Sequence, residues 1–189
     1  MMNARVFTPL LILLALSTQA QEIESPAFGN NLITISPLSA YGSDQFGDVG
    51  LGLAYERFVN EKVSIYSPLS LGLSNQMAQV GAGLKLYPTG HERSVTYSIS
   101  PIFLFTTGKD EYYYYEPFDS YGGTSSDRIF QLGFLLINSL NITIEDDIYL
   151  GVDGGFGVNY LNEWEDERNR FNDGPSLNGY FRVNLGYRF

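Results

Sequence analysis

The chain has 189 residues, with 11 Lys and Arg against 21 Asp and Glu, a formal net charge of −10 and a pI of about 4.4. That balance argues against nucleic acid as a partner, because phosphate backbones are bound through clustered basic charge. With no cysteine there is neither a disulfide framework nor a thioether-linked lipid anchor, so the stability of an exported chain must come from elsewhere.

The chain opens with Arg5, an apolar run over residues 10–16, and Ser17, Thr18, Gln19 and Ala20. The run is too short to cross a bilayer, and small residues stand three before and at the expected cut after Ala20. A secretory signal over residues 1–20 is expected, followed by one domain over 21–189. Loss of Arg5 would leave 10 basic against 21 acidic residues, or −11. No stretch beyond residue 20 is apolar and long enough for a transmembrane helix.

Eight segments then alternate in polarity with the two-residue period of a strand, at 32–41, 49–58, 63–73, 78–87, 95–106, 129 to about 140, 148–160 and 177–189. In the second, Val49, Leu51, Leu53 and Tyr55 oppose Gly50, Gly52, Ala54 and Glu56. In the last, Phe181, Val183, Leu185, Tyr187 and Phe189 oppose Asn178, Arg182, Asn184, Gly186 and Arg188. Segments of about ten or more residues suit a tilted strand crossing a bilayer, whereas soluble strands are about half that length. The mean hydropathy of −0.08 fits, because lipid-facing and inward residues cancel along each strand. Proline cannot donate to a ladder, so a bulge or a weak rung is expected at Pro37, Pro68 and Pro101.

Connections after the odd segments include the two long ones, 107–128 and 161–176; all connections after even segments are short. Outer-membrane barrels have this asymmetry, with short periplasmic turns and long outside loops. The fold expected is all-β: an eight-stranded antiparallel up-and-down transmembrane β-barrel. A lipocalin-like soluble barrel would need the opposite sense, apolar inside and polar outside.

On this pattern, and on its aromatic last strand, the chain resembles the small eight-stranded outer-membrane barrels of the OmpA/OmpX type. The resemblance spans nearly all of residues 21–189. It implies residence in the outer membrane of a Gram-negative bacterium, contact with outer-membrane lipid, and both termini in the periplasm. It also implies delivery by periplasmic chaperones to the barrel assembly machinery, with Tyr180, Val183, Leu185, Tyr187 and Phe189 matching the assembly signal. The functions of such barrels are diverse, and no cofactor is implied.

The inward set reads as Gly, Ser and a few charges: Glu56, Lys85, Asp153, Arg182 and Arg188. Asp153 and Arg182 lie on neighbouring strands and are expected to pair. Glu56, Lys85 and Arg188 fall toward one end and are expected to form a second group. This network is either a polar plug that fixes register or a solute path; the narrow bore of eight strands favours the plug. The single histidine, His91, sits in the short 88–94 connection and reads as a solvated turn residue. Without a Ser-His or Cys-His constellation or a G-x-S-x-G elbow, enzymatic chemistry is the weakest reading.

The connection 109–128 carries Tyr112, Tyr113, Tyr114, Tyr115, Phe118 and Tyr121, and the last connection carries Trp164 and Phe171. Such aromatics offer rigid contact area to an extracellular protein or glycan; alternatively, strands continue past the bilayer and the aromatics pack together or join the interfacial girdle. Both connections are acidic, but neither has the ligand spacing of an EF-hand. The function expected is a non-enzymatic barrel with an envelope-structural or surface-interaction role through its long loops. The alternatives are a narrow channel or solute transporter and, less favoured, an envelope lipid enzyme.

Overall fold

The computed structural model describes residues 29–43, 47–74, 76–114, 123–145, 147–165 and 170–189, with 43, 110–114, 123–127, 164–165 and 170–173 described by their backbone. The expected signal segment lies outside the described residues. The strands are β1 (Asn31–Ser43), β2 (Gly47–Asn60), β3 (Val63–Gly72), β4 (Ala78–Leu86), β5 (Val95–Tyr114), β6 (Gly123–Ile144), β7 (Ile148–Glu165), β8 (Arg170–Asp173) and β9 (Ser176–Arg188).

Each strand from β1 to β7 pairs antiparallel with the next; β7 pairs with β9 and β9 closes onto β1. Eight strands therefore form the closed wall. The ninth, β8, is a four-residue strand that pairs with the top of β7. Closure leaves the spanning wall without an open edge, as a hydrogen-bonded sheet in lipid requires.

Alternation sets the two faces. Isoleucine, leucine, valine and phenylalanine cover the outside, with Phe103 65%, Phe156 69% and Leu177 70% exposed. The inside holds buried Thr34, Ser36, Glu56, Ser64, Lys85, Asp153 and Arg182. An apolar exterior around a polar interior is the inverse of a soluble barrel, and it makes this a transmembrane β-barrel.

All three prolines disturb pairing, in two ways. At Pro37 both ladders of β1 slip by one residue, between Ser36 and Ser39 against β2 and between Ile35 and Leu38 against β9. Pro37 is thus a bulge: even positions up to Ser36 face inward, and odd positions from Ser39 onward. Around Pro68 the β3–β4 pairing passes from Tyr66↔Gly83 to Leu69↔Val80 without a shift, and around Pro101 the β4–β5 pairing passes from Gly83↔Ile102 to Leu86↔Ile99. These are missing rungs in an unbroken register. A further bulge, not anticipated from sequence, lies at Tyr160, where Leu132↔Leu161 is followed by Gly133↔Asn159.

Much of the expected 107–128 connection is strand. The last β4–β5 partners are Ala78 and Thr107, yet β5 continues to Tyr114 and β6 begins at Gly123. Residues 108–114 therefore rise about 23 Å past the end of β4, at roughly 3.3 Å per residue. With β7 and β8 this makes one tall side of the barrel, while β3 and β4 have only 10 and 9 residues.

Candidate functional site: the lumen and the tall wall

The lumen is filled at one end, while a cavity of about 570 Å³ lined in part by Tyr41, Asp48, Ser74 and Tyr180 opens toward the other. Toward the end that carries Phe189, Lys85 and Glu56 form an ion pair at 3.2 Å, each 2% exposed. Glu56 also accepts hydrogen bonds from Ser64 Oγ and Tyr87 Oη, both at 2.5 Å. Lys85 Nζ donates to Tyr149 Oη at 3.2 Å and lies 5.1–5.6 Å from the ring centres of Tyr66, Tyr87 and Tyr149. Tyr149 in turn donates to Asn141 Oδ1. A buried charge needs this density of partners, and the cation gains further from the tyrosine faces. The space bounded by Glu56, Tyr66, Lys85 and Tyr149 has no volume open to a water-sized sphere.

The expected pairing of Asp153 with Arg182 does not form. The two are register partners on β7 and β9, but the guanidinium leans away from Asp153 across the lumen. Its Nη2 donates to the carbonyls of Leu69 at 2.5 Å and Leu53 at 3.3 Å, and to Ser70 Oγ at 3.3 Å. The reason is local: Gly52 lacks a side chain where the guanidinium lies, and a Cβ there would collide with it. Asp153 instead accepts from Asn184 Nδ2 at 2.8 Å and Tyr66 Oη at 3.3 Å.

Nor does Arg188 join Glu56 and Lys85. It closes the mouth at the Phe189 end, donating from Nε to the Gly29 carbonyl at 2.7 Å and from Nη1 to the His91 carbonyl at 3.2 Å. Its Nη2 meets His91 Nδ1 at 2.5 Å, and its guanidinium carbon lies 4.2 Å from the Phe58 ring centre. His91 is therefore not a solvated turn residue. It is 4% exposed, with its ring 4.2 Å from that of Phe58. Burial first, and the Arg188 charge second, lower its pKa from 6.5 to about 4. A neutral imidazole with Nδ1 accepting from Arg188 suits that position.

Between the charged groups and the long-strand end lies an apolar layer: Tyr41, Tyr66, Met77, Ile102, Leu104, Ile129, Leu135, Ile137 and Tyr180 form one buried cluster. Inward tyrosines and aliphatics of this kind were missing from the Gly, Ser and charge set read from sequence. Their signal was available. Tyr66, Tyr149 and Tyr180 stand at the polar parity of their strands, and the runs at 102–105 and 134–137 are apolar at both parities, as in strands buried on two faces. Tyr180 thus faces the lumen, while Leu185, Tyr187 and Phe189 of the same expected assembly signal are exposed on the outside and Val183 is part-exposed there.

Of the aromatic surface candidates, Tyr112, Tyr113 and Tyr114 lie on the rising part of β5, opposite Ser125, Thr124 and Gly123. Trp164 lies on β7 opposite Phe171 of β8. Register therefore brings the two groups onto one wall, on β5 and on β7 and β8 with β6 between them. Tyr115, Phe118 and Tyr121 lie outside the described residues.

No family model matches the chain, and no curated protein matches it. Solved structures do. The outer membrane protein OprG from Pseudomonas aeruginosa superimposes with a TM-score of 0.56 at 12% identity, over 89% of this chain and 99% of that one. Neisserial surface protein A superimposes with a TM-score of 0.51 at 10% identity, over 84% of this chain and 96% of that one. With the closed register and the apolar exterior, these matches establish the fold as that of the small eight-stranded outer-membrane β-barrels.

Proposed function

We propose that this is a non-enzymatic outer-membrane protein of a Gram-negative bacterium whose work is surface interaction through its tall wall. The observation that carries the reading is the uneven height: β5, β6 and β7 have 20, 22 and 18 residues, and more of the excess of β5 over β4 lies at the end away from Phe189, residues 108–114 there against 95–98 at the other end. A bilayer needs about 9–11 residues per tilted strand, so the remainder stands in solvent and carries Tyr112, Tyr113 and Tyr114. In this reading the long-strand end is extracellular, both termini are periplasmic, and the ligand is an extracellular protein or glycan. The short connection between β2 and β3, only Glu61 and Lys62, supports that orientation.

The filled lumen supports the plug over the solute path. The test of the surface reading is to replace residues 111–126 by a two-residue turn. The variant should still fold, as judged by heat-dependent electrophoretic migration, and should lose binding to host-cell or matrix surfaces that the full chain binds. Retention of that binding by the shortened chain overturns the proposal.

A further inference from the structure

The outward face of β6 is apolar from Phe130 to Ile144 except at Asn138, which faces outward because Ile137 and Ser139 on either side are buried in the lumen. At roughly 3.3 Å per residue, Asn138 lies about 20 Å along the strand from Ile144 and about 26 Å from Phe130. On a strand tilted by about 45° that is near the middle of a hydrocarbon core about 30 Å thick. Tyr97 Oη donates to Asn138 Oδ1 at 2.5 Å, while Asn138 Nδ2 donates to none of the described residues. Reversing the carboxamide would let Nδ2 donate to Tyr97, and would still leave two of the three donor hydrogens of the pair unused. The register partner of Asn138 on β7 is Gly154, where an added Cβ would meet nothing within 4 Å. Phe156, Val152 and Phe181 stand exposed around that glycine. A carboxamide with unmet donors thus sits beside a hollow one residue wide.

In water neither feature would need a partner. In hydrocarbon an unmet N–H is costly, because neither water nor acyl chains offer it an acceptor at that depth. Holding the Tyr97 hydroxyl accounts for Asn138 Oδ1, but not for Nδ2 or for the hollow. The acceptor has to come from another protein surface in the same bilayer, and the chemistry favours a second copy. Two copies inserted the same way up are related by an axis along the membrane normal, so a residue on that axis meets itself at its own depth. A carboxamide is both donor and acceptor and therefore pairs with its own kind.

We propose that the β6–β7 face is the contact surface of a two-fold dimer of this chain, with Asn138 on the axis and the hollow at Gly154 admitting an apolar side chain of the other copy. One N–H of each Asn138 is donated to Oδ1 of the other, which keeps a lone pair free beside the bond from Tyr97. Exposed Leu140 and Phe156 flank the contact and pack across it. Such a dimer sets two tall walls side by side. It depends neither on which end of the barrel is outside nor on what the tall wall binds.

Sedimentation equilibrium of the full chain in density-matched detergent micelles tests it. The unaltered chain should show a reversible monomer–dimer equilibrium. Asn138→Leu should weaken association roughly tenfold while keeping the heat-dependent migration of a folded barrel, and Gly154→Leu, which fills the hollow, should weaken it too. Leu53→Ala, on β2 at the opposite wall, should leave it unchanged. Cross-linking in liposomes provides a readout without those substitutions. The chain has no cysteine, so Leu140→Cys is a unique handle, and a short bis-maleimide should join two copies of it but not two copies of Leu53→Cys. An unaltered chain that stays monomeric overturns the proposal, as does equal cross-linking at the two positions. Undiminished association of Asn138→Leu also overturns it and assigns Asn138 to Tyr97 alone. Cross-linking of Leu140→Cys in cells only to other membrane proteins would mean a different partner and overturns it as well. None of these outcomes bears on the 111–126 replacement, whose readout is adhesion.

Discussion

At the level of single residues, the most consequential group is the Glu56–Lys85 pair. Both side chains are buried, and both take hydrogen bonds from neighbouring tyrosines or to them. Removing one partner leaves an uncompensated buried charge, so Glu56→Gln should lower unfolding stability by about 3–5 kcal/mol. Glu56→Met with Lys85→Met removes both charges and should cost clearly less than the sum of the single changes. Urea unfolding in micelles measures this; additive losses would mean that the two groups act independently. His91 makes a pH-dependent contribution of known sign. The unfolded chain takes up its proton near pH 6.5, the folded barrel only near pH 4. Between those values the unfolded state binds more protons, so stability rises with pH across the window and is lost as pH falls from 6.5 toward 4. The loss should be of the order of 1–2 kcal/mol, allowing for solvent screening. His91→Gln should flatten the profile between pH 4 and 6.5, and parallel profiles for the two proteins would discount the burial of the ring.

At the level of strands, the prolines separate two kinds of irregularity. The carbonyl of Pro101 faces Gly83 of β4, so the nitrogen of the same residue points to β4 too and has no hydrogen to give. Pro101→Val should restore one rung and add about 1 kcal/mol to stability. Deleting Pro37 is a different matter, because it removes the extra residue of the bulge. Without it, Leu32, Thr34, Ser36, Ser39 and Tyr41 fall into one unbroken alternation, both ladders of β1 regain their register, and the variant should still reach the heat-resistant folded form. Failure of that deletion to fold would show that the bulge itself, and not only the facing of the side chains, is required. These elements also show what the sequence makes legible. Strand count, pairing order and face followed from alternation alone, because a bilayer enforces period two on every wall residue. The prolines announced where ladders break, but not whether the break shifts register. The slip at Tyr160 carries no proline and left no local sign. The long connections hid further strand because Tyr and Ser-rich stretches above a membrane lose the apolar contrast that marks a strand within it. The Asp153–Arg182 pairing was misread for a related reason. Register placed them side by side, but the choice of partner was made by the missing side chain of Gly52 on β2, two strands along the wall from β9.

For the molecule as a whole, the question is whether the barrel conducts, and the interior answers with two seals in series. Near the Phe189 end the Glu56, Lys85, Tyr87 and Tyr149 group leaves no room for water. Farther in, the cluster of Tyr41, Tyr66, Ile102, Leu104, Leu135, Ile137 and Tyr180 draws on strands from both sides of the lumen and closes it with apolar volume. An ion would have to pass both a dense charge network and a packed layer of tyrosine and aliphatic side chains, each costly on its own. The protein should therefore show no steady ohmic conductance in planar bilayers. Trimming the first seal with Glu56→Ala, Lys85→Ala and Tyr149→Ala should still give silence, because the apolar layer remains. Adding Ile102→Gly, Leu135→Gly and Ile137→Gly to that background should open a measurable conductance in whatever fraction of the chains still folds. Steady conductance in the unaltered barrel would remove the plug reading altogether. Conductance after the first three changes alone would place the whole barrier at the charged end, and would make the tyrosine-caged lysine, rather than the aliphatic layer, the element that keeps this barrel shut.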